Sequence, residues 1–83
     1  MSTSFRDDAN SKLLTEAKQI AWDFLERSGE IDDPWEASQF LTHKIEQMIG
    51  QGQLNRLALS NRAIAAFQEY RRERTIEIAL ASD

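Results

Sequence analysis

The tetrapeptide Asp33-Pro34-Trp35-Glu36 writes the start of an α-helix into this chain. An Asp side chain can accept from the backbone N–H groups that a helix start leaves without partners. Pro suits the first helical position, where its missing N–H costs nothing and its φ is already helical. Glu36, three residues after Asp33, completes the pattern of a capping box and sets negative charge at the positive end of the helix dipole. The segment ahead of Asp33 is therefore read as a turn, and what precedes that turn as a separate element.

Few other breakers exist. The 83 residues hold three glycines and this one proline, which fits a few long helices better than many short strands. Apolar residues recur every three or four positions in three stretches. In the first, Leu13, Leu14, Ala17, Ile20, Ala21, Phe24 and Leu25 share one broad arc. This spacing predicts a helix over 10–28, capped near Asp8–Asn10 and followed by Gly29 at a left-handed C′ position. Residues 1–8 lack periodicity and read as a flexible N-terminal arm ahead of a single helical domain over 9–83. The second stretch runs from Pro34 to about Ile49. Its stripe is Ala37, Leu41, Ile45, Met48 and Ile49, with Phe40 on the flank and Gly50 as the stop. The short link between the two makes an antiparallel hairpin.

The path beyond Gly50-Gln51-Gly52-Gln53 admits two readings. Ser60 can cap a helix beginning at Asn61, which leaves Leu54, Leu57 and Leu59 in a short extra helical turn or an apolar loop over 54–59. Alternatively the third helix starts at Asn55 and runs through Ser60, since neither Gly nor Pro prevents it. The break at Ser60 is the favoured reading. From there Ala63, Ile64, Ala66, Phe67 and Tyr70 form the buried face. Arg74 falls inside the arc that Phe67 and Ile78 define, so the helix should leave the core near residue 74. Ile76 and Leu80 lie one turn apart on a different face. The expected fold is all-α, a small three-helix bundle made of a helix hairpin and a longer C-terminal helix packed across it.

Composition narrows the function classes. There is no cysteine, so neither a disulfide nor a thiolate zinc site is available. No apolar run approaches the roughly 20 residues of a membrane span. No apolar signal region follows the N-terminus, and a cytoplasmic location is expected. His43 is the only histidine and lies off the apolar stripe, and no set of three or four ligands assembles around it. Asp7-Asp8 and Asp32-Asp33 read as terminal and capping acids, not as a spaced metal cluster. Gly50 and Gly52 lack the lysine and spacing of a phosphate-binding loop. No catalytic, cofactor or metal site is therefore expected, and the chain reads as non-enzymatic. No motif ties it to a known family, although its style is that of small bacterial helical proteins.

Two surpluses remain. Residues 1–50 hold five Lys/Arg against ten Asp/Glu, and residues 51–83 hold five Arg against four acids. The halves, at −5 and +1, can attract each other within one chain or across a dimer. Arg56, Arg62, Arg71, Arg72 and Arg74 also raise the question of phosphate binding, although Glu69 and Glu73 interleave them and the whole chain is acidic. The second surplus is apolar. Trp22, Trp35, Ile76 and Leu80 exceed what three stripes obviously bury, and Trp is enriched among binding hot spots. The leading expectation is a protein–protein interaction module acting as a homodimer, and the alternative is a nucleic-acid-associated accessory protein.

Overall fold

The computed structural model describes the backbone of residues 2–81 and the side chains of residues 9–75. It consists of three α-helices, α1 (Ser2–Arg27), α2 (Pro34–Gly50) and α3 (Arg56–Ala81). Each packs against the other two, and the short turns make the bundle run up, down and up. Among the described residues every regular element is helical.

The start of α2 forms as its sequence dictates. Asp33 is extended, with φ −122° and ψ 104°, and its Oδ1 accepts from the N–H groups of Trp35 at 3.0 Å and Glu36 at 3.2 Å. The capping box is not closed by Glu36, however. Its carboxylate turns to α3, where it accepts from Tyr70 Oη at 3.2 Å and pairs with Arg74. A charged donor from a neighbouring helix outcompetes the local backbone N–H.

Helices α1 and α2 end in the same way. Gly29 N–H donates to the Glu26 carbonyl and Glu30 N–H to the Leu25 carbonyl, at 3.1 and 2.9 Å. Gly52 N–H donates to the Ile49 carbonyl and Gln53 N–H to the Met48 carbonyl, at 2.9 and 3.0 Å. Both are Schellman motifs, with φ +72° at Gly29 and +97° at Gly52. Gly29 is the expected residue. Gly50 is not the stop expected for α2, because it stays helical and Gly52 takes the left-handed position.

Helix α1 begins at Ser2, ahead of the expected start near Asp8–Asn10, and no Gly or Pro stands in the way. Helix α3 begins at Arg56, not after Ser60. Asn55 is its cap, with Oδ1 accepting from Ala58 N–H at 2.9 Å and the backbone carbonyl from Leu59 N–H at 2.9 Å. Ser60 is fully buried mid-helix instead. Its hydroxyl lies 2.8 Å from the Arg56 carbonyl of its own helix and 3.3 Å from the Ala17 carbonyl of α1. No separate helical turn exists over 54–59.

The core is a thin rod. Ala17, Ala21 and Leu25 of α1 meet Ala37, Leu41, Ile45 and Met48 of α2 and Leu59, Ala63 and Phe67 of α3. Small residues at Ala17, Ala21, Ser60 and Ala63 let α1 and α3 approach closely. The apolar arc of α1 predicts Ile20 and Phe24 in this core, but they are 36% and 49% exposed. The apolar arc of α1 is wider than the stripe two neighbours can cover. Leu59 is fully buried, whereas Leu54 and Leu57 are exposed.

Candidate interaction surface

The arginines of α3 fall into place first, because they decide what surface is left. Arg56 pairs with Glu16 of α1 at 2.9 Å. Arg71 reaches Asp32 at 2.7 Å and Glu30 at 3.9 Å, both in the α1–α2 turn. Arg74 pairs with Glu36 of α2, and Arg72 with Glu69 one turn back at 3.6 Å. Gln68 Nε2 adds a bond to Glu30 at 3.2 Å. The basic C-terminal half therefore holds the acidic N-terminal half within one chain. Of the five arginines, only Arg62 has no carboxylate partner among the described residues.

The two tryptophans lie on different seams. Trp22 is half-buried against the core and lines a groove between α1 and α2 with Leu14, Lys18, Ser38 and Thr42. Lys18 Nζ donates to Ser38 Oγ across that groove at 2.7 Å. Trp35 stands on the α2–α3 side and is 73% exposed, the most exposed large apolar side chain among the described residues. The cap made by Asp33 fixes its backbone, so the ring is presented from a rigid first turn.

Behind Trp35 lies an aromatic cluster. Phe40 stacks on Tyr70 with ring centroids 4.9 Å apart and meets the Phe67 edge at 5.6 Å. Such offset and edge contacts stiffen the seam beyond their buried area. Trp35, Glu36, Gln39, Phe40, His43 and Tyr70 line one open groove. The sequence pointed to Trp35 through its surplus apolar area. It gave no sign that Phe40 and Tyr70 would join it, since that depends on how α2 and α3 register.

Ile76 and Leu80 lie on the stretch of α3 whose side chains are outside the described residues. The helix backbone continues through them to Ala81. His43 is exposed, and among the described residues no group of three or more His, Asp or Glu side chains could hold a metal ion. No helix of the described residues is long and apolar enough to cross a membrane. No family model, curated protein or solved structure matches the chain.

Proposed function

We propose that this chain is a non-enzymatic, cytoplasmic protein-interaction module that acts as a homodimer. One observation carries the reading, namely Trp35 held open to solvent beside the Phe40–Tyr70 stack. A large aromatic side chain on a fixed backbone loses little entropy on docking and removes much apolar area from water. Solvating it in a lone monomer gains nothing for a fold this small, whose core supplies only about 3–5 kcal/mol.

Nucleic-acid binding through Arg56, Arg62, Arg71, Arg72 and Arg74 has less to stand on. Four of the five already face carboxylates, so a phosphate would have to displace an existing partner. That reading predicts retention of DNA or RNA at low salt, lost steeply as salt rises.

The test is light scattering over a protein concentration series. The wild-type chain is expected to pass from monomer to dimer. Trp35→Ala is expected to raise the dimer dissociation constant by about thirtyfold or more, with helical circular dichroism unchanged. A wild-type chain that stays monomeric at every concentration overturns the proposal.

A further inference from the structure

The α2–α3 seam carries charges in an order that a second copy can read. Helices α2 and α3 run antiparallel, and the Tyr70–Glu36 bond sets those two residues level. Glu36 also meets Arg74, and Phe40 meets both Phe67 and Tyr70, so Asp33 lies towards the Glu73 end of the seam and Lys44 towards the Arg62 end. One half of the seam thus carries two acids, and the other half two bases. Arg74 and Arg72 lie near the acidic half, but they are already paired with Glu36 and Glu69.

Along α3 the pattern forms a single stripe. At about 100° per residue, Arg62, Ala66, Glu69 and Glu73 fall within an arc of about 60°. The stripe borders the α2 side of α3, because Tyr70 on its inner flank stacks on Phe40. Arg62 and Glu73 at its two ends are both exposed and have no ion pair among the described residues. Ala66 near its middle is only partly buried and stands outside the core, contrary to the buried face its spacing predicts, and it has the small side chain that two helix backbones need for close approach.

We infer that a second copy of this chain seats on this seam in antiparallel orientation, with Arg62 of each copy against Glu73 of the other. Charge complementarity identifies the occupant. Reversing the stripe end for end turns its basic end onto its acidic end, whereas a parallel copy sets like on like. The contact is isologous, so it closes after two copies and does not propagate. The same rotation brings Trp35 of each copy over the other, towards the level of His43. This rests on the self-association proposed above and adds the face, the orientation and the register.

The test uses two single charge reversals, R62E and E73R, and their equimolar mixture. Both positions are exposed, and circular dichroism checks that each variant stays helical. In sedimentation velocity at low ionic strength each variant alone is expected to dissociate at least about tenfold more readily than wild type, since both contacts of its homodimer become like-charged. The mixture is expected to recover a dimer within about threefold of wild-type affinity, because a heterodimer of the two has opposite charges at both contacts. A mixture no tighter than its components overturns the proposal. So do single variants that dimerise like wild type while Trp35→Ala does not, a result that leaves self-association standing. A wild-type monomer at all concentrations removes both readings together.

Discussion

Asp33 has the most work concentrated in one side chain. Its Oδ1 serves two N–H groups, and that arrangement aims the first turn of α2 and with it Trp35. Asp33→Ala is expected to cost about 1 kcal/mol, read as a lower urea midpoint with unchanged slope, while Asp33→Asn retains most of the stability. This device was legible because capping is local chemistry, complete within four consecutive residues. The start of α3 was not. Asn55 and Ser60 both carry the side chain of a cap, and nothing nearby separates them. The decision comes from Ala17, 43 positions away from Ser60, whose backbone leaves room only for a small side chain there. A serine with its hydroxyl turned back onto Arg56 fills that space and satisfies its own polar atom.

At the scale of elements, two of the three glycines make an internal control. Gly52 has φ +97° and Gly50 is helical, and a Cβ added at either meets nothing within 4 Å. Only backbone conformation then separates the two positions. Gly52→Ala is expected to destabilise by about 1–2 kcal/mol, because the left-handed region penalises any Cβ. Gly50→Ala is expected to stabilise by up to about 1 kcal/mol, because it removes a flexible residue from a helix. Opposite shifts in thermal midpoint check the pair. The sequence placed a stop in this neighbourhood and chose the wrong glycine, since the two are only two residues apart and differ in register alone. The burial of α1 departs from its apolar arc for a geometric reason. Seven apolar positions on one arc compete for two neighbours, and in a narrow bundle Ala17, Ala21 and Leu25 win, which leaves Ile20 and Phe24 at the rim.

For the whole molecule, the asymmetry of charge became an internal clasp. The attraction between an acidic first half and a basic tail was readable from composition, but not its targets. Arg71 reaches Asp32 and Glu30 within the α1–α2 turn at residues 28–33, and Arg74 reaches Glu36 at the start of α2, so α3 straps the turn and the helix it leads into. Each exposed pair alone adds little, and several on one turn act together. The other turn, 51–55, holds itself by bonds among its own residues and the adjoining helix ends, and Gly52, Leu54 and Asn55 stand open. A broad-specificity protease at low dose should therefore nick the chain first within 51–55, with mass spectrometry reporting a helical hairpin and a detached third rod. Both turns share the backbone bonds of a Schellman motif, and 28–33 has the Arg71 pairs in addition. Raising the salt should therefore bring cleavage at 28–33 closer behind, because ions loosen that added mooring and leave the backbone bonds of either turn untouched. The two poles of the bundle thus share one backbone knot and differ in how much charge is tied across it.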